Sequence, residues 1–185
     1  MQRLRGMHRA VIAGGIGGLV GTWAMNEAQR LWTVAVDGRA PSSAAGRHDA
    51  RDWQERAEHQ NSNELAAQAV ARRVLGRRLT RDELAVAAPF VHFLFGGAMG
   101  ALYGAYAAPR RQRPSGAAFG CALWLAADEI AMPVLGLSRS TVERPLEMHM
   151  QAFGAHLVYG IVTELTRRPL QAYFDGDTES GASRT

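Results

Sequence analysis

The side chains able to do chemistry in this chain are Glu27, His92, Asp128, Glu129, His149 and His156, and each lies in or beside an apolar, glycine-rich stretch. Those stretches are Val11–Met25, Pro89–Ala108, Ser115–Ala127 and Met148–Thr163, and each reads as a membrane-spanning helix. Ionisable groups in a bilayer are costly, so they mark a functional site by default. Three chemistries fit the set. Histidine titrates near neutrality and desolvated acids are raised toward it, so interleaved imidazoles and carboxylates can pass protons. The same ligands can bind a transition metal, as in carboxylate–histidine bundles. The groups can also simply lock helices together, at roughly 0.6–2 kcal/mol per bond.

Spacing separates these chemistries only in part. His149 and His156 are two helical turns apart and share a face; Glu164 lies eight beyond His156, on roughly the same face. Asp128 and Glu129 are adjacent, so they point about 100° apart and cannot serve one partner. Pro133 removes the backbone donor that would pair with the Glu129 carbonyl. The Glu-x-x-His spacing of di-metal bundles is absent, because Met132 stands three after Glu129 and His149 only two after Glu147. No cofactor is expected, although the ligand set is compatible with a bound transition metal.

The elements that must position these groups are four spans, at about 10–36, 87–108, 115–137 and 148–166. A polar insertion occupies 37–86, and a polar tail at 171–185 reads as disordered. The expected fold class is all-α: a four-span transmembrane bundle in one domain, residues 1–170. Within the insertion, Gly38–Gly46 reads as loop. Ser62-Asn63-Glu64 opens an amphipathic helix with Leu65, Ala69, Val70 and Val74 as its apolar positions, and Gly76 ends it. Thr80 with Glu83 has capping-box spacing and starts the next helix, which Pro89 is expected to kink. Gly96, Gly100 and Gly104 stack on one face of the second span, Gly14 and Gly18 repeat the spacing in the first, and Gly116 and Gly120 in the third. Such stripes let helices approach closely and fit tight packing, including a homodimer or a larger membrane complex.

Arginines orient the chain. Arg3, Arg5 and Arg9 precede span one; Arg110, Arg111 and Arg113 separate spans two and three; Arg167 and Arg168 follow span four. Both termini on the cytoplasmic side satisfy all three clusters. The amphipathic insertion is then extracytoplasmic. Glu27, His92, Asp128, Glu129 and His156 fall together between the midplane and the outer surface, which is the argument for one polar cluster handling protons or a cation. Asn26, His149 and Glu164 are less certain members. Glu27 has a second reading as the i+3 partner of Arg30, and His149 as a solvated surface histidine.

Composition agrees with a membrane address and excludes others. All 21 basic residues are arginine, and the net charge is +4. The arginines of the insertion alternate with Asp49, Asp52, Glu55, Glu58, Asp82 and Glu83, so no basic face for nucleic acid is expected. The mean hydropathy of −0.15 is low for a multi-span chain and leaves a soluble helical bundle open. The only cysteine, Cys121, can form no intrachain disulfide. Glycines 14, 15, 17 and 18 miss the dinucleotide register, because the third position is Val20.

The run Gly17–Glu27, Val91-His92-Phe93 with Gly96–Tyr103, Leu123–Glu129 and Ala155–Gly160 resembles the YagU-like bacterial inner-membrane proteins of unknown function. The resemblance implies an inner-membrane bundle and a link to acid stress, with no established catalytic residues to carry over. A scaffold or accessory subunit of a membrane complex is the alternative, and a membrane metal-binding protein a further one. An enzyme is the less favoured reading.

Overall fold

The structure, a computed structural model, describes residues 2–37, 64–108, 115–131, 134–135 and 146–182. Among these the regular elements are all helices. They are α1 (Gln2–Asp37), α2 (64–75), α3 (Arg81–Ala107), α4 (Gly116–Trp124) and α5 (Leu146–Ala182). A π-helical stretch, Leu125–Ala131, continues α4. The Gly38–Gly46 loop, the charged stretch 49–58, Arg110, Arg111, Arg113, Pro133 and most of the 138–147 linker lie outside the described residues.

Local chemistry sets the helix ends. Gly76 follows α2 with φ +68°, a left-handed conformation that closes a helix and that side chains resist. Four residues later Thr80 caps α3: its hydroxyl accepts from the Glu83 amide, and the Glu83 carboxylate accepts from the Thr80 amide at 2.8 Å. Arg77 reaches the same carboxylate with both guanidinium nitrogens, at 2.9 and 2.6 Å. These bonds, Arg77 first, hold the Glu83 carboxyl down to about 2. Gln68 ties α2 to this elbow by giving to and accepting from the Leu79 backbone, both at 3.0 Å. The α2 face that turns inward is Ala67 and Ala71, whereas Leu65, Val70 and Val74 are exposed. The larger apolar side chains therefore do not mark the packed face here; the smallest ones do, because the backbones come close. Pro89 sits inside α3 without ending it.

Glycine contacts define the bundle. Gly14 lies against Gly100 and Gly104, and Gly18 against Gly96 and Gly100, so α1 and α3 run antiparallel at backbone contact. On its other side α1 meets α5, with Gly17 against Thr163 and Arg167 and Gly21 against Tyr159 and Thr163. Gly116 and Gly120 of α4 meet Gly160 and His156 of α5, again antiparallel. At most of these positions a methyl group would strike backbone. α3 and α4 touch through the stacked rings of Tyr103 and Phe119, whose centroids are 4.2 Å apart. Two ends result. The α2 end holds the start of α3, the π-helical stretch and the start of α5; the arginine end holds the start of α1 and Arg167 and Arg168.

The interior consists mostly of small residues with a few polar ones among them, and many large apolar side chains point outward. Buried residues include Ala10, Ala13, Thr22, Thr163, Tyr159, Glu164 and Arg167. Ile12, Leu19 and Trp23 on α1, Phe90, Leu94 and Leu102 on α3, and Ile161 and Leu165 on α5 point outward. Among the described residues one helix, Arg81–Ala107, is long and apolar enough to cross a membrane, and only 17% of its apolar window is buried. α1 and α5 have the length, but glycine dilutes their apolar content and Arg9, Glu27, Arg30, Glu164, Arg167 and Arg168 interrupt it. The last helix also outruns its expected span. It continues through Pro169 to Ala182, so 171–182 is helical where a disordered tail was expected. Asp175, beyond that span, pairs with Arg9 of α1 at 3.6 Å.

Candidate functional site

The π-helical stretch opposite α5 brings two carboxylate–histidine pairs together. A π turn is wider than an α turn and shifts the phase of the residues it carries; such turns recur at functional sites. Asp128 and Glu129 both lie in it. Glu129 Oε1 sits 2.9 Å from His149 Nδ1, within hydrogen-bond range, and both side chains are largely buried, at 7% and 17% exposed. Asp128 Oδ2 sits 3.7 Å from His156 Nδ1, an electrostatic contact longer than a hydrogen bond. The same His156 nitrogen lies 2.9 Å from the Ala152 carbonyl, one turn back. An Nδ1–H donated to that carbonyl leaves Nε2 as the nitrogen free to exchange a proton. His92, from α3, is within electrostatic reach of both Asp128 and His156. Three helical segments thus converge on one group of ionisable side chains.

His149 is therefore not a solvated surface residue; it is the partner of Glu129. Adjacent carboxylates take different partners, one turn pair apart on the same helix. Glu27 stands elsewhere: its carboxylate pairs with Arg30 at 3.1 Å on the outer part of α1. Asn26 is half-buried beside it. At the corresponding level α1 presents Met25 instead, packed with Ala155 and Tyr159 against Phe119 and Leu123. Trp124, one turn before Asp128, sets its ring edge-on to Phe153 at 5.2 Å, and its indole N–H is buried with no hydrogen-bond partner.

A second polar group, at the arginine end, was not assembled from the sequence. Glu164 is 3% exposed and accepts from Arg167 Nε at 2.8 Å and Nη2 at 2.9 Å, a bidentate pair. Arg168 Nε donates to the same carboxylate. Arg167, 5% exposed, also reaches Gln171 and lies over the Tyr103 ring at 5.6 Å. The signal was present in the i, i+3 and i, i+4 spacing of an acid before two arginines. Between the two groups, Tyr103, Phe119 and Tyr159 fill the interior, and the Tyr159 hydroxyl donates to the Gly96 carbonyl at 2.6 Å.

Among the described residues, no three His, Cys, Asp or Glu side chains gather closely enough to hold a metal ion.

A family model described as "Protein of unknown function (DUF1440)" matches residues 77–165, just under half of the chain. The match takes in His92, Asp128, Glu129, His149, His156 and Glu164 and leaves out Glu27 and the whole of α1. The narrower YagU-like likeness is not what this comparison names. No curated protein and no solved structure matches the chain.

Proposed function

We propose that this is a bacterial inner-membrane protein of four spans whose carboxylate–histidine pairs bind and release protons at the α2 end. The observation that carries the reading is the placement of two Asp/Glu–His pairs and a third histidine inside a bundle whose outer surface is apolar. In water that arrangement is unfavourable, because exposed apolar area is not removed and buried ionisable groups lose their solvation. In lipid both halves are consistent: large side chains meet acyl chains, small ones let helices touch, and polar groups turn inward. Arg9, Arg167 and Arg168 then lie on the cytoplasmic side and α2 on the other. Imidazoles paired with carboxylates change charge near neutrality, which suits a role in the response to acid.

Two measurements test the reading. Carbonate washing leaves an integral bundle in the membrane pellet, and release into the wash ends the membrane reading. In histidine-labelled protein in vesicles, this reading expects at least one imidazole resonance of the cluster to move between about pH 5 and 8. Resonances that stay fixed across that range end the proton reading. A second reading is favoured by the 2.9 Å Glu129–His149 contact, which by itself can fasten the π-helical stretch to α5. Under it the protein is an accessory or scaffold subunit, and replacing the pair loosens the fold or its association without altering any pH response.

A further inference from the structure

The polar side chains of α5 do not stop at His156. Tyr159, Thr163, Glu164 and Arg167 continue at helical spacing to the arginine end, so the buried face of one helix carries polar groups over most of its length. Such a string is the form a proton wire would take, and its contacts decide whether it is one. Beyond His156 each interface of α1 and α5 closes at backbone contact, at Gly17, Gly21, Gly116, Gly120 and Gly160, with no room for an added methyl group. The space left between the helices holds the Tyr103–Phe119 stack, and the Tyr159 hydroxyl donates its proton to the Gly96 carbonyl rather than toward Glu164. Past it stands Glu164 with two arginines, so one negative charge faces two fixed positive charges. A guanidinium keeps its proton at all ordinary pH, so this group repels an arriving proton. On the other side of the same cluster, the Asp128 side chain is 21% exposed and His149 17%, against 4% for Glu164 and 7% for Arg167.

We infer that the carboxylate–histidine site is a dead-end proton-binding site: it exchanges protons with the α2 end alone, and the Tyr103–Phe119 stack with the Glu164–Arg167 pair seals it from the arginine end. This rests on the proton reading above. The charged and titratable groups around Asp128 and His156 are His92 from α3, within electrostatic reach of both, and the Glu129–His149 pair on the same two elements; on α1, Glu27 pairs with Arg30, and Met25 packs with Ala155 and Tyr159. A proton arriving from water adds to His156 Nε2 or to the Asp128 carboxylate, the pair goes from one net negative charge to none, and the proton leaves by the way it came. The site therefore senses the acidity of one compartment and conducts nothing to the other.

The test uses the full chain in vesicles of phosphatidylethanolamine and phosphatidylglycerol, with a pH-sensitive dye trapped inside and a pH step outside. The wild type is expected to hold the gradient as protein-free vesicles do. A leak in the wild type that His156→Gln abolishes overturns the seal. Glu164→Gln combined with Arg167→Met and Arg168→Gln removes all three charges of the plug together and spares the bundle a lone buried ion. This set of changes is expected to raise proton entry several-fold, and adding His156→Gln to remove that entry. If the charge-free plug is folded, as helicity shows, and remains tight, the Glu164–Arg167 pair is not the seal and the inference is overturned. The failure of the proton reading itself has a different signature: a His156 resonance that does not titrate in the same vesicles.

Discussion

The two ends of this bundle solve the problem of a buried carboxylate in opposite ways. At the arginine end, Glu164 is held by guanidiniums that are charged under all ordinary conditions. At the α2 end, Asp128 and Glu129 face imidazoles whose charge depends on pH. The first arrangement is a fixed strut. The second, under the proposed function, is an adjustable one. The same type of acid meets a permanent cation at one end and an imidazole at the other, and the proposal makes that partner the difference between a strut and a responsive site.

The sharpest way to break the comparison is Arg167→Ala. It leaves Glu164 buried with only the half-exposed Arg168 for company, and is expected to cost about 3 kcal/mol of stability, read as a lowered unfolding midpoint in detergent. A loss below about 1 kcal/mol would mean that the arginine end is no strut. Next in size is Gly100→Ala, whose methyl group meets the Gly14 carbonyl and the Gly18 backbone. Forcing α1 from α3 is expected to cost about 1–3 kcal/mol, whereas Gly6→Ala, with open space around it, is expected to be neutral or stabilising.

A smaller effect separates the two ends directly. A double-mutant cycle on Glu129→Gln and His149→Ala is expected to give a coupling of about 1 kcal/mol at pH 5. Under the proposed function the coupling should change with pH, while the Glu164–Arg167 cycle stays constant over the same range. Equal pH dependence at both ends would erase the distinction. The smallest effect concerns the elbow. Glu83 is held at about 2, below the ordinary glutamate value of about 4.3, so its bonds add stability above that ordinary value and lose it as pH falls toward 2. Amide protection over Leu79–Leu84, corrected for the intrinsic exchange rate, should fall between about pH 4.5 and 2, and Arg77→Ala should shift the onset of that fall upward.

What could be read from the residues was whatever depends on near neighbours. The Thr80–Glu83 box and the turn at Gly76 follow from short-range hydrogen bonding and φ alone, and both stand where the spacing predicts them. The glycine stripes were visible as i, i+4 repeats, but not which helices they would join. That depends on the alternation of α1, α3, α4 and α5, and Gly14 of α1 meets Gly100, 86 positions away. The site was legible as a set of residue types and not as a set of pairs. Nothing in the spacing of Glu129 and His149 shows that a π-helical stretch will re-aim one toward the other. Glu27 had two readings in the sequence, and the one that depends on near neighbours, its i+3 pairing with Arg30, is the one the structure shows. The composition was ambiguous about the number of spans because glycine, which brings the helices together, also lowers their apolar average.

The widened turn at Leu125–Ala131 makes the chain sensitive to length at that place in a way no substitution reproduces. Removing a single residue there would let the segment relax into an ordinary α-helix, and the residues inside it would change bearing by up to about 100°. Helix content would hardly change, yet the two carboxylates would trade bearings, each presented to the other's imidazole or to neither. Insertions and deletions, usually the business of loops, would here act as a dial on which acid meets which base.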